Sequence, residues 1–160
     1  MSNLKQHFYR AEIVWTGNKG IGTSSYRAYG REYTFKSDQK LEILCSSDPS
    51  FLGDASRYNP EELFLSSIAG CHMLWYLHLC AESGIIVTAY NDHATARMIE
   101  LADGSGKFEE VCLNPSVYIS ESSDKQLAID LHERANRFCF IANSLNFKIR
   151  HNPQIYMGPI

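Results

Sequence analysis

A chain of 160 residues, 44% hydrophobic and 21% charged, is long enough to bury a core of its own and reads as one globular domain, 1–160. Its net charge of -3, with Lys and Arg spread thinly along the chain, argues against a surface that tracks the phosphates of a nucleic acid. Five cysteines, an odd number with no CxxC pair, do not make the disulfide framework of a small secreted domain and leave packing or thiol chemistry as their roles.

Met1 to His7 carries no apolar stretch of the secretory kind, so the cytoplasm is the expected location. From Phe8 to Thr16, Tyr9, Ala11, Ile13 and Trp15 share one side with Arg10, Glu12 and Thr16 mostly on the other, the period of a half-buried strand. Gly17 to Gly22 breaks it as a turn. Tyr29 to Phe35 and Lys40 to Ser46 predict two further strands, joined by Lys36-Ser-Asp-Gln39 as a meander. Ser47 to Tyr58, rich in Ser, Asp, Pro and Gly, is a loop.

A long helix follows. Asn59 suits its N-cap, Pro60 its first position and Glu62 the carboxylate of a capping box, while Gly84 after Glu82-Ser83 supplies the stop. Between Leu63 and Ala81 there is no Asp, Glu, Lys or Arg. A helix apolar all round is either a membrane span or the centre of a core. Ser66, Ser67, His72 and His78 interrupt this one, its flanks are acidic and no second such segment exists, so it reads as a central core helix with no membrane.

Ile85 to Asn91, His93 to Leu101 and Phe108 to Ser120 predict three strands, with Ala102 to Gly106 as a hairpin turn. A second helix starts near Ser123-Asp124, its face marked every four residues by Leu127, Leu131, Ala135 and Cys139. Phe140 to Leu145 continues as a short helix and Phe147 to Met157 as an edge strand bearing Pro153. Hairpins segregated from helices indicate an α+β fold. No GxGxxG or P-loop follows any strand, so nucleotide binding has no support.

Cys71 lies mid-helix in the apolar segment, where a free cysteine ordinarily serves as a small hydrophobe. To become a thiolate there it needs a cation or hydrogen-bond donor brought to it. Cys139 is a second candidate, and the two meet only if their helices are neighbours. His72 and His78 do not make a metal set with Cys71, because Cys71 and His72 point about 100° apart and only His78 falls near the Cys71 face. Cys45, Cys80 and Cys112 sit in apolar patterns and read as packing.

Asn59-Pro-Glu-Glu-Leu63, the small pair Ala69-Gly70 before Cys71, and Cys139 after the helix containing Ala135 together resemble the OsmC/Ohr family, the osmotically inducible and organic hydroperoxide resistance proteins. The resemblance covers nearly the whole chain. It implies antiparallel sheets wrapped around two central helices in an intertwined homodimer, with Cys71 as peroxidatic thiolate, Cys139 as resolving thiol, Glu61 as active-site carboxylate, and an arginine for which Arg27 is the preferred counterpart over Arg31 and Arg57. Phe140 stands where the family has a proline after the second cysteine.

The function so implied is a thiol-dependent peroxidase of organic hydroperoxides, with no bound cofactor and an external dithiol, of lipoyl type, as reductant. The alternative is a non-catalytic OsmC-like protein that holds an acyl or other small ligand near Cys71, favoured by Phe140 and by Met73, Trp75 and Tyr76. Glu61 has a second reading as a first-turn carboxylate stabilised by the helix dipole. Ten residues at about 1.5 Å each also place it roughly 15 Å from Cys71 along one straight helix, so the helix is interrupted or the carboxylate serves a partner chain.

Overall fold

The computed structural model describes residues 4–158; the start of the segment read for a leader lies outside the described residues. The chain forms two compact units, Met1–Leu63 and Phe64–Ile160.

The first unit holds an antiparallel meander of β1 (Glu12–Trp15), β2 (Tyr33–Lys36) and β3 (Ile43–Cys45), with Trp15 opposite Tyr33 and Tyr33 opposite Cys45. The strands are shorter than the apolar alternation suggested. β1 also departs from the half-buried expectation: all four of its residues are exposed, Ile13 at 61%. Alternation sets which residues share a face, but covering that face takes further mass. Before α1 (Pro60–Glu82) the loop makes one 3₁₀ turn at Pro49–Phe51, where the Asp48 carboxylate accepts from the Ser50 amide at 2.8 Å.

The start of α1 is a reciprocal capping box. The Glu62 amide donates to Asn59 Oδ1 at 2.7 Å and the Asn59 amide donates to Glu62 Oε2 at 3.1 Å. Asn59→Ala should therefore cost about 1 kcal/mol, read as a lowered midpoint in urea unfolding with an unchanged slope. Its other end is a left-handed stop, with Gly84 at φ 74° and the Ile85 amide donating to Cys80 O at 2.9 Å. α1 is uninterrupted over its 23 residues and is long and apolar enough to cross a membrane; Ile68, His72, Tyr76, Leu79 and Cys80 are buried along it.

In the second unit the sheets are mixed rather than purely antiparallel. One runs β4 (Val87–Asp92), β7 (Pro115–Ile119), β9 (Gln154–Met157), and the other β5 (Thr95–Glu100), β6 (Gly106–Leu113), β8 (Ile149–His151). The β5·β6 hairpin and the longer-range pair β4·β7 are antiparallel, whereas β6·β8 and β7·β9 pair parallel. The stretches 108–120 and 147–157, read from sequence as one strand each, are both divided, at Asn114 and at Asn152-Pro153, and each half joins a different sheet. Asn114 turns the chain by giving its amide to Asp92 Oδ1 at 2.7 Å and its side-chain nitrogen to His93 O at 2.9 Å.

The second helix, α2 (Lys125–Phe138), is capped by Asp124, whose carboxylate accepts from the Leu127 amide at 3.0 Å. Its buried face is Ala128, Leu131, His132 and Ala135. Those residues pack with Tyr76, Leu79 and Cys80 of α1 and with Val117, Ile119 and Ile155 of the first of these two sheets. Ile68 forms a second core with Val111, Leu113 and Ile149 of the other sheet. After α2 the predicted helix 140–145 is only a 3₁₀ turn, Ala142–Ser144.

Candidate active site

Cys139 is the C-cap of α2. Its amide still donates to Ala135 O at 2.9 Å, but its ψ of 115° takes the backbone out of the helix. The departing segment folds back so that the Ala142 amide donates to Cys139 Sγ at 3.4 Å. Both Cys71 and Cys139 are free thiols, and Cys71 lies close enough to influence the ionisation of Cys139. Cys139 is 1% exposed, while Cys71 is half-buried and the more accessible of the pair. Burial, reinforced by the neighbouring Cys71, pushes the Cys139 thiol up to about 11, so at neutral pH it holds its proton.

Trp75 lies four residues beyond Cys71, on the same side of α1. Its ring stacks on Phe138 at 5.3 Å between centroids and meets Phe140 edge-on at 5.5 Å, so the residues flanking Cys139 both pack on the helix that carries Cys71. Phe140, in the place of the expected proline, remains 66% exposed.

Sequence reasoning weighed His72 only against Cys71 and His78, and missed its real neighbours. His72 Nε2 lies 3.0 Å from His132 Nδ1 on α2, with the two ring planes inclined by 11°. The ring of His151, from β8, lies 4.5 Å from that of His72, and Tyr76 stacks on His132 at 3.8 Å. Burial holds His72 and His132 neutral, each lowered to about 3, and lowers His151 as well. The signal was present in the spacing of Ala128, His132, Ala135 and Cys139 on one face of α2. Among the described residues no three His, Cys, Asp or Glu groups are disposed to hold a metal ion.

Glu61 and the three arginines weighed from the sequence belong to the first unit. Glu61 Oε2 is buried without a hydrogen-bond partner, and its charge adds to the burial that raises the Tyr33 hydroxyl to about 12. None of the arginines forms an ion pair with it. Arg27 is exposed; Arg31 donates to Tyr26 O and Tyr29 O, both at 2.5 Å, with both rings against its guanidinium; Arg57 pairs with Asp54 at 3.4 Å.

Comparison with curated protein sequences finds no match. An OsmC-like protein of unknown function from Vibrio cholerae superposes with a TM-score of 0.84 at 26% identity, over 93% of this chain and 100% of that one. An organic hydroperoxide resistance protein from Elizabethkingia anophelis gives 0.70 at 19% identity, over 95% and 100% of the two chains. The organic hydroperoxide resistance protein OhrB of Bacillus subtilis gives 0.60 at 20% identity, over 91% and 98%. At those two identities the likeness is one of fold. The sequence model for OsmC-like proteins matches residues 53–153, from the loop before α1 through β8, and the chain therefore belongs to the OsmC family.

Proposed function

We propose that this protein is a thiol-dependent peroxidase for organic hydroperoxides, and the observation that carries the reading is the closeness of a half-buried Cys71 to a buried, protonated Cys139. The Cys71 thiolate attacks the terminal peroxide oxygen, the O–O bond breaks, and the leaving alkoxide takes a proton to depart as an alcohol, leaving Cys71 as a sulfenic acid. Cys139 sulfur then attacks Cys71 sulfur. Its proton leaves with the displaced hydroxyl as water, and the S–S bond forms. An external dithiol, of lipoyl type, reduces the disulfide by exchange, and no bound cofactor takes part. The setting is the cytoplasm, with no nucleic acid or membrane involved.

In this proposal Glu61 orients an arginine, Arg27 first among the candidates, that favours the thiolate and donates to the peroxide oxygens. The buried and unpartnered Glu61 Oε2 supports a cation being supplied to it. A homodimer is the proposed source. Phe8, Tyr9 and Leu41 are 88%, 89% and 93% exposed in the single chain, and Leu74 of α1 is 64% exposed. An interface covering such residues belongs to the obligate class, upwards of about 2,000 Å² in total. Light scattering at micromolar concentration should give twice the 18.2 kDa chain mass. A folded, active monomer contradicts the shared site.

The aromatic group of half-buried Trp75 and exposed Phe140 favours the second reading, a protein that holds an apolar ligand without turning it over. One experiment separates them. One equivalent of cumene hydroperoxide should convert Cys71 and Cys139 into a disulfide, identified by peptide mass spectrometry. Recovery of both as free thiols removes the peroxidase reading.

A further inference from the structure

We infer that the hydrogen bond between His72 and His132 is a positioning clamp that holds α1 and α2 at the separation the Cys71–Cys139 disulfide requires. His72 immediately follows Cys71 on α1, and His132 precedes Cys139 by two turns on the same side of α2. The imidazole bond of 3.0 Å is the only side-chain to side-chain hydrogen bond joining the two helices among the described residues.

A neutral imidazole has one donor and one acceptor nitrogen, so an Nε2 to Nδ1 bond requires the same tautomer in both rings, both protonated on Nε2 or both on Nδ1. Their outer nitrogens, His72 Nδ1 and His132 Nε2, are buried with no partner, which makes the shared bond the sole hydrogen bond of each ring. Losing it therefore strands two polar side chains that are 1% and 2% exposed. Sliding or separating the helices carries that penalty at once.

The rings are held on their other sides. Tyr76 lies on the face of His132 and is itself fixed by donating its hydroxyl to Ala128 O at 3.0 Å. His151 of β8 lies against His72, and on the β4 side Tyr90 lies 6.0 Å from Tyr76, with Asp92 influencing the Tyr90 hydroxyl. His151 Nε2, the Tyr90 hydroxyl and Asp92 Oδ2 are likewise buried and unpartnered, so none of them replaces the bond between the two histidines. The Tyr76 hydroxyl also ties α1 to α2 through Ala128 O, but it does not satisfy either imidazole.

The inference concerns the same thiol pair as the proposed function, and its test does not require peroxide. The equilibrium between dithiol and disulfide in a glutathione redox buffer gives the effective concentration of Cys139 at Cys71. His132→Leu should lower that value about tenfold. His132→Asn, which puts an amide atom where the imidazole Nδ1 stood, should restore it to within about twofold. If the leucine variant does not fold, His132→Gln, whose amide is displaced by one methylene, takes its place in the comparison and should behave as the leucine was expected to. The rate of the first oxidation of Cys71 by cumene hydroperoxide should change less than about threefold in all variants, because only resolution needs both helices.

A leucine or glutamine variant with wild-type effective concentration overturns the clamp, as does an asparagine variant no better than them, or an equal loss in both steps. A wild-type protein that forms the bridge with this dependence but consumes no peroxide retains the clamp and removes the peroxidase reading. No bridge in the wild type overturns both.

Discussion

Cys71→Ser is expected to reduce hydroperoxide turnover with a dithiol by roughly 10³-fold or more, because the sulfur that meets the peroxide has no substitute in the site. Cys139→Ser is expected to give a different failure. The single reaction of Cys71 with peroxide should survive, since a half-buried thiol remains in place, while recycling by dithiol stops at the sulfenic acid. Single-turnover consumption of cumene hydroperoxide, followed by trapping of the sulfenic acid with a dimedone reagent, distinguishes the two. Equal loss of the first turnover in both variants contradicts the division of roles, and retained recycling in the serine variant at Cys139 points to direct reduction of Cys71.

Mild acid is expected to unfold the protein, and the buried histidines are the cause. His72 and His132 sit at about 3 when folded against an ordinary 6.5. A base whose folded value is depressed stabilises the fold fully only above its unfolded value, since below it the unfolded chain takes up protons that the folded one refuses. Stability should thus be flat above pH 6.5 and fall progressively towards pH 3.

At pH 4.5, two units below the unfolded value, each ring accounts for about 3 kcal/mol of that loss, and somewhat less for a pair in contact. This is a large share of the 5–15 kcal/mol typical of a domain, so most of the stability should be gone. Asp92 works the other way, because burial raises its folded value and lets the native state bind a proton first, but it is one group against three histidines. Urea titrations at pH 7 and 4.5 provide the measurement. His132→Asn should flatten the difference by about 2–3 kcal/mol, and an unchanged pH slope in that variant would show that the imidazoles do not set the acid limit.

Both helices were legible in the sequence because their ends carry chemistry that acts locally. Asn59, Glu62, Gly84 and Asp124 each satisfy a backbone group within a few residues, and no tertiary context is needed to read them. The resemblance around Cys71 and Cys139 likewise pointed to the right family, and the structure brings those two thiols together. Strand divisions were not legible. Asn114 looks like one more residue in an apolar run until Asp92, more than twenty positions earlier, accepts its amide hydrogen. The histidine cluster escaped for the same reason, since His72, His132 and His151 come from α1, α2 and β8 and meet only once the core has formed. Neither could spacing show that β1 stays uncovered in the single chain, because a pattern of alternation is silent about what lies above it.

The paired strand breaks bear on how the protein is made. β6 runs into β7 as β8 runs into β9, and because the two ribbons lie side by side in parallel, each crosses from one sheet to the other in step with its neighbour. During synthesis, therefore, neither sheet can receive its third strand until β8 and β9 have left the ribosome, although both helices and the four strands β4 to β7 are already outside. The nascent chain must wait with two unpaired strand edges, β6 and β7, and parallel pairing between segments so far apart is intrinsically slow. A stall placed just before Ile149 should accordingly leave a chain that chaperones bind and proteases cut, whereas release of residues up to Met157 should close both sheets in one cooperative event.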